Sequence, residues 1–133
     1  MVAIFSERLL RGEPTVVYGD GEQTRDFVYV ADVAAANVRA LSRLQSGGAA
    51  AGGPAILNIG TGIETSVNDL CRRLAGVLGG APPARYAPPR PGEQRRSAVD
   101  PRQARHVLGW APAVPLAEGL SLTLEWFKKH PRP

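Results

Sequence analysis

Apolar positions along the chain fall into helical stripes and short strand-like clusters, and their order predicts most of the architecture. Val2, Phe5 and Leu9 mark a helix over residues 2–11, ended by Gly12 and barred from continuing by Pro14. Thr15–Tyr18 predicts a short strand and residues 19–22 a turn. Asp26–Val30, rich in β-branched and aromatic side chains, predicts a second strand. Asp32 is placed to cap a helix running to about Leu44, with Val33, Ala36, Ala40, Leu41 and Leu44 as its buried stripe. Ser46–Pro54, dominated by Gly and Ala, reads as a flexible connection. Ala55–Ile59 is an apolar run of strand length, of the kind a parallel sheet covers on both faces.

The second half continues the alternation. Ser66, with Asp69 three residues on, resembles a capping box and opens a helix to about Leu78, with Cys71 beside Leu74 and Leu78 as core filling. The chain is then irregular and proline-rich through Pro91. Asp100-Pro101 starts a short helix that stops at Gly109, and Leu116, Leu120, Leu124 and Phe127 mark a last helix from about Pro115 to Lys129. Strands separated by helices indicate an α/β fold. The few strands visible are too few for a free-standing parallel sheet, so the pattern reads as part of a larger fold.

A length of 133 residues can bury a core, and the single Cys71 excludes an internal disulfide or a multi-cysteine metal site. No apolar run approaches the ~20 residues of a membrane helix, and Met1–Phe5 has no basic residue ahead of it. A cytoplasmic location is the expectation. The formal charge of +4 is concentrated: six arginines between Arg85 and Arg105 face only Glu93 and Asp100, and the rest of the chain is neutral. This segment suggests an anionic partner or a solvated loop. A nucleic-acid partner is disfavoured, because no recognition helix or paired stacking aromatics accompany it.

Candidate chemistry is sparse. Gly60-Thr-Gly62 has the setting of a dinucleotide-binding turn, yet Thr65 stands where the third glycine belongs and no acidic residue follows at the required spacing; a tight turn is the simpler reading. His106 and His130 lack partners at metal-ligand spacing, and no Gly-x-Ser-x-Gly elbow occurs. Arg25, in Gln23-Thr-Arg-Asp-Phe27, and Arg90, in Arg-Pro-Gly-Glu93, sit where the backbone can hold a guanidinium in place. Two such groups could grip a diphosphate through paired charge-assisted hydrogen bonds. The residues alone leave open an ion pair for Arg25 and a solvated charge for Arg90.

Four segments carry a family pattern: Val17-Tyr-Gly-Asp-Gly-Glu-Gln-Thr-Arg-Asp-Phe-Val-Tyr-Val-Ala-Asp-Val33, Leu57-Asn-Ile-Gly-Thr-Gly62, Arg90-Pro-Gly-Glu93 and Leu108-Gly-Trp-Ala-Pro112. Together they resemble the C-terminal part of the NAD-dependent epimerase/dehydratase family, the extended short-chain dehydrogenases, nearest to its UDP-glucose 4-epimerases. The resemblance implies an α/β fold comprising the last Rossmann-type strand with its flanking helices, over 32–79, and substrate-binding elements over 13–30 and 80–133, all in one partial unit. It implies that the N-terminal NAD-binding part lies upstream. The family's catalytic Tyr-x-x-x-Lys pair is absent: Tyr18 is followed four residues on by Glu22, Tyr29 by Val33 and Tyr86 by Arg90.

No catalytic residue is therefore assigned, and no NAD binding is expected of this chain alone. By resemblance, Val16 and Tyr18 meet the nucleotide base, Arg25 and Arg90 bind the diphosphate, and Glu93 lies beside the ribose. Asp32 looks like a structural helix start, and Asn58 and Gly60 take packing roles. The expected partners are a nucleoside-diphosphate sugar, a UDP-sugar first, and a Rossmann half; complete members are often homodimers. The function implied is a nucleotide-sugar-binding portion inactive by itself, with a stand-alone nucleotide-binding or subunit-completing module as the alternative.

Overall fold

A computed structural model describes residues 1–46 and 56–131. The expected flexible connection lies, apart from Ser46, outside the described residues, as does Ala55. The elements run α1 (Val2–Leu10), β1 (Val16–Tyr18), β2 (Thr24–Asp26), α2 (Val30–Gln45), β3 (Glu64–Ser66), α3 (Val67–Val77), β4 (Arg85–Ala87), α4 (Arg102–Leu108) and α5 (Leu116–Lys129). β1 pairs in parallel with β4, Val17 opposite Tyr86, and β2 pairs antiparallel with β3, Arg25 opposite Thr65.

Helical spacing does what it predicts in α1, α3 and α5. Phe5 and Leu9, Leu70 and Leu74, and Leu120 and Leu124 bring three helix faces together around Val17 of β1 to form the main core. Cys71 packs against this core, its Sγ 3.5 Å from Thr15 Oγ1, and burial pushes its thiol pKa up. Ser66 Oγ accepts a hydrogen bond from the Asp69 backbone N–H at 3.1 Å, the cap expected at the start of α3. α4 begins one residue later than Asp100-Pro101 suggests. Asp100 still accepts from the Arg102 N–H at 3.0 Å, and Gly109, at φ 60°, ends the helix in the left-handed region.

A second, smaller core is built on Trp110, which is 1 % exposed among Ala36, Ala104, Val28, Leu57, Ile59 and Leu108. Asp32 fastens this core and is not a cap. α2 starts at Val30 with Tyr29 as its N-cap residue, and Asp32, in the first turn, is buried. The Asp32 backbone carbonyl accepts from Trp110 Nε1 at 2.8 Å, and its carboxylate accepts from the Val114 N–H at 3.0 Å. One aspartate thus secures both the buried indole donor and the chain entering α5.

Five expectations need correction. The second strand is Thr24–Asp26, not 26–30, because its antiparallel partner β3 begins only at Glu64, opposite Asp26; beyond it Phe27 packs on the main core and Val28 on the second. Residues 56–59 form no strand among the described residues. Their burial alternates, Leu57 and Ile59 inward with Ile56 90 % exposed, so coverage is one-sided. Asn58, also exposed, has no packing role. The stripe of α2 is likewise not buried as expected: Ala36 faces α4 and Trp110, whereas Leu41 and Leu44 are 55 % and 61 % exposed. Finally, the proline-rich stretch contains β4, a three-residue strand made by its partner rather than by its own pattern.

The turn after Ile59 is organised by Asp26. Its carboxylate accepts from the N–H of Thr61 at 2.9 and 3.1 Å, the Thr61 hydroxyl at 2.5 Å, the Gly62 N–H at 2.9 Å and the Val99 N–H at 3.5 Å. Burial works to raise the Asp26 pKa, but these bonds outweigh it and hold the carboxyl below its ordinary range. Gly60 is buried against the same carboxylate. A Cβ there would lie 2.4 Å from Val99 Cγ2 and 2.6 Å from Asp26 Oδ2.

Two outcomes follow for stability. Gly60→Ala is expected to destabilise the chain by about 1–3 kcal/mol in urea unfolding, since both crowded groups are already committed; an unchanged midpoint would contradict this packing. Because the folded pKa of Asp26 is depressed, its stabilisation is complete above the unfolded value of about 4 and is lost as pH falls through the folded one. Asp26→Asn should lower the urea midpoint at pH 7 and flatten its decline in acid; an identical acid limb in the variant would count against this role.

Candidate functional site

A groove of about 530 Å³ opens between the ends of the parallel β1–β4 pair. Tyr18 and Gln23 form one wall, Pro89, Arg90 and Glu93 the other, with Asp20 and Arg95 at its edge. The parallel ladder explains the meeting: Arg85 N–H donates to Thr15 O at 2.8 Å and Gly19 N–H to Ala87 O at 2.9 Å, so the chain leaves β4 alongside the end of β1. Arg90 lies over the ring of Tyr18, its Cζ 3.9 Å from the ring centroid, a cation–π contact.

The loop carrying Glu93 is fastened to the antiparallel β2–β3 pair. Thr24 N–H donates to Arg95 O at 2.9 Å, and Arg25 Nη1 donates to Gln94 O at 2.8 Å. Arg95 forms a bidentate pair with Asp20, at 2.7 and 2.9 Å, and Arg96 binds Glu64 through Nε and Nη2, the latter at 2.7 Å. Thr24 Oγ1 adds a bond to Glu64 Oε2 at 2.6 Å. The hydrogen bond from Arg95, with the Glu22 N–H bond behind it, brings the Asp20 pKa down to about 2, and Arg96 with Thr24 lowers that of Glu64.

Arg25 sits behind Glu93 and does not line the groove. Its Nη2 is 3.3 Å from Glu93 Oε1 and its Nη1 also donates to Thr24 O at 2.6 Å. Both side chains of this ion pair are about a quarter exposed, at 26 % and 23 %. Gln23 Nε2 donates to Tyr18 O at 2.9 Å and approaches Glu93 Oε1 at 3.5 Å. Val16, two residues before Tyr18 on the same strand face, is half-buried and outside the groove lining. Of the five candidate residues, Tyr18, Arg90 and Glu93 meet in the groove and Arg25 joins them through Glu93.

Sequence reading missed Asp20, Gln23 and Arg95. Arg95 belonged to the visible basic segment, but its acidic partner lies 75 residues away, and Glu64 lies 32 from Arg96, separations no local pattern reveals. Arg102 likewise pairs with Asp100. Three of the six arginines in this segment are thus neutralised, which works against a continuous cationic surface for nucleic acid. Arg90 has no carboxylate partner among the described residues.

The Gly60–Gly62 turn does not fit a dinucleotide. The N–H groups of Thr61 and Gly62, which a pyrophosphate would need, are bound by the Asp26 carboxylate, and β3 rather than a helix follows. Among the described residues no cluster of His, Cys, Asp or Glu could hold a metal, and no helix is long and apolar enough to cross a membrane.

Comparison with known proteins agrees with this architecture. Residues 1–60 match the model of the NAD dependent epimerase/dehydratase family. The chain is 48 % identical over 128 residues to a UDP-glucose 4-epimerase of Mycolicibacterium smegmatis, covering 96 % of this chain and 39 % of that protein. The crystal structure of a UDP-glucose 4-epimerase with UDP-glucose from Thermotoga maritima superposes with a TM-score of 0.86 at 46 % identity, over 96 % of this chain and 39 % of that one. That of a UDP-glucose 4-epimerase complex with NAD from Thermus thermophilus gives 0.81 at 38 % identity, over 97 % and 40 %. The chain spans about two fifths of the length of these relatives. The chain thus resembles the NAD-dependent epimerase/dehydratase family over nearly its whole length and has the α/β fold of the C-terminal portion of its extended short-chain dehydrogenase members.

Proposed function

We propose that this chain is the nucleotide-sugar-binding portion of an NAD-dependent epimerase/dehydratase of the UDP-glucose 4-epimerase kind. The observation that carries the reading is the meeting of Tyr18, Arg90 and Glu93 in one groove, from segments about seventy residues apart, with Arg25 held against Glu93. Tyr18 offers an aromatic surface for a nucleotide base, and Val16, outside the groove lining, supports it from the same strand. Arg90, which lies over that ring and has no carboxylate partner among the described residues, has guanidinium donors to offer phosphate oxygens. Arg25 supplies the second guanidinium, and Glu93 a carboxylate for ribose hydroxyls.

The chain's own residues bind and orient; they hold no Tyr-x-x-x-Lys pair, and the turn that most resembles a dinucleotide site is closed by Asp26. NAD, which supplies hydride acceptance in this family, would therefore be held by a Rossmann half rather than by these residues. The exposed Val38, Leu41 and Leu44 of α2 favour a body packed against that helix, which suits such a half and equally a subunit-completing role. On either reading the chain alone does no chemistry, and binding energy from the nucleotide serves to place the sugar for groups elsewhere.

Calorimetry with UDP tests the assignment. Arg25→Ala and Arg90→Ala are each expected to weaken UDP by about 1.5–3 kcal/mol, roughly ten- to hundredfold, as befits loss of a charge-assisted phosphate contact. Equal affinities in all three proteins would remove the diphosphate clamp. With UDP-glucose and NAD the 133-residue chain should show no epimerisation, and turnover at the rate of a complete enzyme would contradict its role as a binding portion.

A further inference from the structure

The pairing of Arg25 with Glu93 poses a problem for any anion entering the groove. If the Arg25 guanidinium turns to a diphosphate, Glu93 loses its cationic partner just when its carboxylate must stay in place. The structure supplies a second hold. Gln23 is 5 % exposed, and its backbone is fixed by the Val67 N–H donating to Gln23 O at 3.1 Å. Its side-chain amide has two hydrogens, one on Tyr18 O at 2.9 Å and one directed at Glu93 Oε1 at 3.5 Å. Both contacts to Glu93, from Gln23 and from Arg25, fall on Oε1. Oε2 is thereby left to accept from a ligand.

We infer that Gln23 is a positioning residue: when Arg25 leaves Glu93 for a ligand diphosphate, the buried amide retains Glu93 Oε1 and keeps Oε2 aimed at the ligand's sugar hydroxyls. The inference rests on the reading of the groove as a nucleoside-diphosphate site. Gln23 suits the task because it is neutral and so does not compete with the arginines for phosphate. It also ties the two walls together, Tyr18 on one side and the Glu93 loop on the other. The consequence is selectivity. A carboxylate held in this way gains from a ribose 2′-hydroxyl, and a 2′-deoxyribose lacks the donor, so the groove prefers ribonucleoside diphosphates as long as Gln23 holds Glu93.

The test is calorimetry of the full chain with UDP and with 2′-deoxyuridine 5′-diphosphate. Wild type should favour UDP by about tenfold or more, the scale of a charge-assisted hydrogen bond. Gln23→Met, which keeps the buried volume and removes both donors, should bring that ratio close to one, chiefly by weakening UDP. Gln23→Asn, whose amide falls a methylene short of Glu93, should do the same and serves if the Met variant does not fold. In a Glu93→Ala background neither change should alter the ratio further. An equal loss for both nucleotides in the Gln23 variants would reduce Gln23 to a structural role and overturn the inference. Wild type binding both nucleotides equally would overturn it while leaving the nucleotide site standing; wild type binding neither would overturn both.

Discussion

The groove depends on a strap. Residues 93–96 lie along the β2–β3 pair, held by the Thr24 N–H to Arg95 O bond and flanked by two bidentate ion pairs, Asp20 with Arg95 and Glu64 with Arg96. Exposed ion pairs are individually weak and are screened by salt. Here their effect is one of registration: two carboxylates beside the strap accept two successive arginines, so the loop cannot slide by a residue without losing both. Asp20, with its pKa lowered to about 2, stays charged throughout the physiological range, and the registration stays with it. Arg90 and Glu93 are consequently delivered to Tyr18 and Gln23 by contacts made outside the groove.

Two further aspartates perform the same service elsewhere. Asp26 collects the N–H groups of Thr61, Gly62 and Val99, and Asp32 collects Trp110 and Val114. Asp26 holds the turn before β3 and the Val99 segment to the end of β2, and Asp32 holds Trp110 and Val114 to α2. This is how a chain with two two-stranded sheets among its described residues holds long irregular connections in place. It also gives the Gly60–Gly62 turn a structural occupation that shuts out a dinucleotide. The division of labour in the proposed function, binding here and redox chemistry elsewhere, thus has a physical counterpart.

Helix faces were legible because burial repeats within one element: Phe5 with Leu9, Leu70 with Leu74, and Leu120 with Leu124 declare themselves at i and i+4. Of the short strands, β1 was legible as Thr15–Tyr18, but β2, β3 and β4 were not, since three residues make little pattern and their limits are set by partners, as Glu64 limits β2 and Thr15 draws in Arg85. Charge misled in an instructive way. The local excess over residues 85–105 is real in the sequence, but Asp20 and Glu64 return from distant positions to neutralise Arg95 and Arg96, leaving Arg90 over Tyr18. Arg25 and Arg90 stood out by their loop settings, with an ion pair or a solvated charge left open, and Val16, Tyr18 and Glu93 were reached through the family pattern. Gln23 carried no signal at all, because an amide acquires meaning only from what its two hydrogens meet.

A crystal structure of this chain with UDP tests the account most directly. It should show the diphosphate between Arg25 and Arg90, the Arg25 guanidinium turned from Glu93, and Glu93 still hydrogen-bonded to Gln23. UDP bound away from Tyr18, or seated in the groove with the Arg25–Glu93 pair intact and no arginine on its phosphates, would contradict it.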